Sequence, residues 1–118
     1  MSIHVIKDHT ECKSALNNVG DALYVIGGKW KLRVIIAMRQ GYSRFNDIQR
    51  ALDGISARVL SNELKELELN GFVNRIVHTE TPVIVEYRIT EYADSLDEVL
   101  EALGKWGATH RDKLRRER

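Results

Sequence analysis

Between Ser43 and Val73 the chain reads SRFNDIQRALDGISARVLSNELKELELNGFV, two helical patterns separated by the turn Asp53, Gly54 and Ile55. A short helix, a three-residue turn and a longer helix with a polar, basic outer face is the layout of a helix-turn-helix. Asn46 is the expected cap of the first helix, with Asp47 suited to its positive end and Gln49 three residues after the cap. That helix should run to about Leu52. Ser56 is the natural cap of the second, and Asn70 and Gly71 mark its end. At 100° per residue Leu60, Leu64 and Leu67 share one inward face, while Arg58, Ser61, Asn62 and Lys65 gather opposite. Leu69 falls near the polar face and breaks the pattern slightly.

Arg and Asn side chains make paired hydrogen bonds to purine edges, and Lys and Ser suit guanine edges or phosphates. The polar face therefore fits double-stranded DNA; the competing reading is a face that merely meets water. Charge distribution bears on the choice. The whole chain has 18 Lys and Arg against 17 Asp and Glu, a net +1. From Gly28 to Lys65, however, eight basic residues (Lys29, Lys31, Arg33, Arg39, Arg44, Arg50, Arg58, Lys65) face three acids (Asp47, Asp53, Glu63). A basic segment inside a nearly neutral chain is the expected footprint of a phosphate binder.

At 118 residues the chain suits one domain, mainly α with a small β hairpin. Residues 1–10 form an arm without a clear pattern. Leu16, Val19, Leu23 and Ile26 recur at helical spacing, predicting a first helix over 12–26 that ends at Gly27–Gly28. Apolar residues from Trp30 to Met38 surround the next helix, Lys29 to Arg39, so it should be buried centrally, with Gly41 ending it. Phe72 to Val77 reads as a strand, and Val85, Tyr87 and Ile89 alternate with Glu86 and Arg88 in a second. The loop His78–Val83 between them makes residues 28–90 a winged-helix core, with the loop as its wing. Thr90 should cap a last helix over 91–110 carrying Leu96, Val99, Leu100, Leu103 and Trp106 on one stripe, and 111–118 reads as a basic tail.

The last helix follows an already complete core, yet it bears a long apolar stripe, as does the first. Leu16, Val19 and Leu23, with Leu96, Val99, Leu100, Leu103 and Trp106, are therefore expected at a homodimer interface. The alternative is that the two helices pack only on each other within the monomer.

The chain resembles the HxlR-type family of winged helix-turn-helix transcriptional regulators, relatives of the MarR group. The residues that carry the likeness are Gly27-Gly28-Lys29-Trp30-Lys31, Arg44-Phe45-Asn46-Asp47-Ile48, Gly54-Ile55-Ser56-Ala57-Arg58-Val59-Leu60, Leu64-Lys65-Glu66-Leu67-Glu68, Asn70-Gly71-Phe72-Val73, Thr81-Pro82-Val83, Val85-Glu86-Tyr87 and Thr90-Glu91. They keep order and spacing over nearly the whole chain after Cys12. The resemblance implies a dimeric bacterial regulator of operator DNA, joined through its first and last helices. The chain departs from the pattern in two places. Ile84 stands where family members commonly carry a basic wing residue, and with Glu80 nearby the wing is poor in positive charge. That leaves His78 and Thr79 as its expected backbone contacts. Cys12 lies farther from Trp30 than the sensing cysteine of several relatives and is followed by Lys13.

Near a helix start and beside Lys13, a Cys12 thiolate would be favoured, though Glu11 works against it. A redox sensor and an inert small residue are both open readings. His4, His9 and Cys12 are the candidate metal ligands, but on an arm without a second cysteine they are not expected to hold one. No nucleophile–base pattern, phosphate-cradling Gly-rich loop or catalytic carboxylate pair stands out, so neither catalysis nor a cofactor is expected. Trp30 and Trp106 read as packing residues. With no secretory or membrane-spanning stretch and one cysteine, the expected location is the cytoplasm. The expectation is thus a sequence-specific homodimeric regulator on a pseudo-palindromic operator. Ser43, Arg44, Asn46, Ser56, Arg58, Ser61, Asn62, Lys65, His78 and Thr79 should touch DNA. The inducer would be an oxidant or electrophile at Cys12, or a small molecule near the dimer seam. The alternative from another class is a winged-helix module that docks a protein through the same polar face.

Overall fold

In the computed structural model, which describes residues 9–118, the helices and hairpin follow the predicted order with shifted ends. Helix α1 spans His9–Ile26, α2 Lys31–Arg39, α3 Phe45–Ala51 and α4 Ala57–Leu69. Strands β1 (Val73–His78) and β2 (Ile84–Ile89) pair antiparallel, with Val73 opposite Ile89 and His78 opposite Ile84. A 3-10 helix over Glu91–Leu96 then leads into α5, Asp97–Arg116. The fold is a winged helix-turn-helix flanked by a helix at each end. The expected arm lies outside the described residues up to residue 8, and so does His4.

One apolar core joins α2, α3, α4 and the hairpin. Val34, Ile35, Ile48, Leu60, Leu64, Leu67 and Val73 are fully buried at its centre. The i, i+4, i+7 spacing of the three α4 leucines aims them all at α2 and β1, as periodicity requires. Gly54 and Gly71 hold φ of 88° and 86°, a region that costs other residues, and so permit the turn into α4 and the exit from it. The Tyr87 N–H donates to the Ser43 carbonyl at 2.8 Å, tying β2 to the segment before α3.

Several local expectations are corrected. Helix α2 is not buried all round: Val34, Ile35, Ala37 and Met38 are covered, but Ile36 is exposed. The reason is that α3, α4 and β2 cover only part of so short a helix. Asn46 does not cap α3; Arg44 holds the extended cap position, without a side-chain cap bond. Gln49 instead donates to the Ile55 carbonyl at 3.3 Å across the turn. Thr90 caps the 3-10 helix, not α5, and its hydroxyl donates to the Gly71 carbonyl at 2.6 Å. The tail expected at 111–118 is helical to Arg116, since Lys113, Arg115 and Arg116 suit the negative end of a helix.

The radius of gyration is 17.6 Å, well above the about 13 Å of a compact 100-residue domain. Helices α1 and α5 are exposed over most of their length, as an extended shape requires.

Candidate nucleic-acid interface

The Ser56 hydroxyl accepts from the Val59 N–H at 3.1 Å, so α4 starts where the sequence places its cap. From that start, Arg58, Asn62 and Lys65 stand exposed on the face opposite the buried leucines, with Ser61 half-buried beside them. Leu69 is 85% exposed, and Val59 is also exposed on the same helix.

The basic segment counted from sequence divides into cations that are engaged and cations that are not. Lys31 Nζ lies 3.4 Å from both Glu63 carboxylate oxygens and also pairs with Glu66. Burial works against its charge, but the hydrogen bond to Glu66 and the charges of Glu63 and Glu66 outweigh that and raise the ammonium above its ordinary value. Arg39 pairs with Asp94 and Asp97, and Arg50 with Asp47. Lys29 and Arg33 stack over the Trp30 ring at 4.9 and 4.6 Å. Among the described residues, Lys29, Arg33, Arg44, Arg58 and Lys65 have no carboxylate partner. Five of the eight basic residues of the segment are thus free of carboxylates, and three of these, Arg44, Arg58 and Lys65, lie at α4 and just before α3.

Arg44 stands exposed at the junction of three elements. It lines one groove with Phe45, Asn46, Asp47, Arg50 and Val85, and another with His78, Thr81, Ile84 and Glu86 of the hairpin. Ser43 is half-buried there, its carbonyl occupied by Tyr87. Asn46, released from capping, is exposed on the first turn of α3.

The wing differs from its expected form. His78 ends β1 instead of opening the loop, and its Nε2 lies 3.1 Å from Glu86 Oε1. Arg88 Nη2 reaches the same oxygen at 2.9 Å. The hydrogen bonds with His78 and Arg88 hold the Glu86 carboxyl below its usual value. The His78 ring thus has a carboxylate neighbour within the strand pair, whereas Thr79 stands exposed and unengaged in the loop with Glu80.

Arg75 escaped the sequence reading. It lies on β1 across from Tyr87 and lines a groove with Ser61, Leu64, Lys65, Glu68 and Tyr87, and no carboxylate pairs with it among the described residues. The signal was available: a strand alternating from Val73 puts Arg75 on the face that α4 approaches.

The flanking stripes are open in the single chain. Leu16, Val19 and Leu23 on α1 are exposed, with Tyr24 at 91%, and so are Val99, Leu103 and Trp106 on α5. Trp106 stacks on His110 with centroids 5.1 Å apart. Leu96 is placed differently: it is only 7% exposed and belongs to the core, against which Leu100 also packs. Cys12, on the exposed surface of α1, is a free thiol. Of the three candidate metal ligands, His4 and the side chain of His9 lie outside the described residues. No described helix is long and apolar enough to cross a membrane.

A family profile described as HxlR-like helix-turn-helix matches residues 25–115. The HTH-type transcriptional regulator YtcD of Bacillus subtilis (strain 168) is 38% identical over 97 residues, 82% of this chain and 77% of YtcD. A solved MarR-family transcriptional regulator from Enterococcus faecalis V583 is 37% identical with a TM-score of 0.69, covering 98% of this chain and 99% of its own. The redox regulator HypR, solved in its reduced form, is 37% identical with a TM-score of 0.70, covering 83% of this chain and 97% of its own.

Proposed function

Because the chain belongs to the HxlR-like helix-turn-helix family, we propose that this transcriptional regulator works in the cytoplasm as a homodimer on a pseudo-palindromic operator. Helix α4 enters the major groove. Arg58 and Asn62, one turn apart near its start, read base edges, and Ser56, Ser61 and Lys65 flank them. Ser43, Arg44, Asn46 and Arg75 hold the phosphate backbone, and Thr79 meets it at the wing. His78, paired with Glu86, is assigned a lesser part. The observation that carries this reading is that Arg44, Arg58, Lys65 and Arg75, which have no carboxylate partner among the described residues, stand exposed on α4, just before α3 and on β1.

The test is the salt dependence of binding to random duplex. Several displaced counterions give a steep negative slope, while a protein-docking module would have almost no affinity for DNA. Arg44→Ala should weaken all sequences alike and make the slope shallower by about one unit per half-site. An unchanged slope with altered base preference would refute its backbone role.

Dimerisation assigns Leu16, Val19 and Leu23 to the seam with Val99, Leu103 and Trp106. What supports it is that both stripes stand open in the single chain, which a purely internal pairing of α1 with α5 would have covered. Leu96 and Leu100 then support the seam from the core side.

The exposed Cys12 thiol on α1, and the likeness to a protein described as a redox regulator, support an oxidant or electrophile as inducer. Modification on α1 would shift the two recognition helices against half-sites about 34–36 Å apart. A mild thiol oxidant should change operator binding by the wild type, reversibly with reductant, and leave Cys12→Ser unaffected. Identical responses of the two proteins would mean a structural thiol and an inducer bound non-covalently near the seam.

A further inference from the structure

Helix α5 is joined to the winged-helix core only at its base. Ala93 and Leu96 of the 3-10 helix are buried in the core and Leu100 packs against it, but beyond Leu100 the helix is exposed apart from a half-buried Ala108. On one side the base is held to the start of the hairpin. Tyr92 stacks on Phe72 with centroids 5.0 Å apart, and the Thr90 hydroxyl binds the Gly71 carbonyl. A second tie comes from α2. Arg39, in the last turn of α2, places Nη2 3.0 Å from Asp94 Oδ1 and 2.7 Å from Asp97 Oδ1. Asp97 is the first residue of α5, and Asp94 lies within the 3-10 helix before it. One guanidinium therefore grips the chain at the point where it changes from 3-10 to α.

We propose that Arg39, through Asp94 and Asp97, is a positioning residue that fixes the angle between α5 and the winged-helix core, and thereby the spacing of operator half-sites the dimer accepts. The inference rests on the dimeric operator reading above. Apolar contacts such as those of Leu96 and Leu100 are non-directional and tolerate rotation. A guanidinium nitrogen that hydrogen-bonds Asp94 and ion-pairs with Asp97 ties both sides of the 3-10 to α junction to the end of α2. Exposed ion pairs add little stability, so the effect lies in geometry and not in melting. The lever is long: twenty residues at 1.5 Å make α5 about 30 Å, so a rotation of about 10° at its base moves the far end about 5 Å. A shift of that size exceeds the about 3.4 Å rise of one base pair.

The experiment uses duplexes carrying two half-sites selected by the wild-type protein from a randomised library, with their spacing varied by up to two base pairs either way. Wild type should lose at least tenfold in affinity away from the selected spacing. Arg39→Ala should stay dimeric in sedimentation, bind random duplex within about twofold of wild type, and bind the selected spacing about tenfold more weakly with a flattened spacing profile. Arg39→Lys, which keeps the charge on a shorter side chain without the planar guanidinium, should fall between. The double change Asp94→Asn with Asp97→Asn should reproduce the flattened profile, and it decides the matter if Arg39→Ala fails to fold. A wild-type spacing profile in a folded, dimeric Arg39→Ala or in the Asp double variant would overturn the proposal. A wild-type protein that is monomeric, or indifferent to spacing, would contradict the dimeric reading itself and the positioning role with it.

Discussion

Changing Leu103 and Trp106 together to Glu will turn the protein into a folded monomer that no longer holds its operator. Both side chains lie mostly in water in the single chain, at 50% and 66% exposure, so the winged-helix core does not depend on them. In the proposed seam between two copies the same positions would be buried, and an unpaired carboxylate there is strongly disfavoured. The dimer dissociation constant should rise at least ~100-fold, about 3 kcal/mol. Operator affinity falls with it, since each half-site loses its partner's contacts. Leu100 is a poorer choice for this test, because it also packs on the monomer core and its replacement would mix unfolding with dissociation. Sedimentation with a thermal melt separates the two effects. A stable dimer from the Leu103/Trp106 variant would place the seam elsewhere.

Arg58→Ala and Asn62→Ala should each cost ~1–3 kcal/mol per half-site on the selected operator and much less on random duplex. Both side chains project from the first two turns of α4, directly after the Ser56 cap, where a recognition helix reaches base edges. Neither is engaged with a neighbouring carboxylate, so removing them frees no partner and leaves the core leucines untouched. Competition between operator and random duplex at one salt concentration measures the difference. Equal losses on both would reduce that residue to a backbone contact.

The parts of this architecture that follow from periodicity and local chemistry were legible in the chain. The spacing of Leu60, Leu64 and Leu67, the Ser56 cap and the Asn70–Gly71 exit fix α4 with no help from distant residues. What depends on long-range contact was not. Lys31 meets Glu63 across 32 positions and Arg39 meets Asp94 across 55, so a running charge count could not tell engaged cations from free ones. The segment EYADSL has apolar spacing that suits a 3-10 as well as an α-helix, which hid the break before Asp97. Asn46 has the right chemistry for a cap, yet the extended backbone falls at Arg44, and only the fold decides where a helix begins. Arg75 acquires meaning only when β1 lies against α4.

The central claim is that the exposed face of α4 reads DNA sequence. Its most direct test is the affinity of the wild-type protein for a duplex selected from a randomised library, set against a scrambled duplex of equal length at the same salt. A specific reader should prefer the selected duplex by about 10³-fold or more, with two chains bound per duplex. Equal affinity for the two, or no measurable affinity for either, would contradict it.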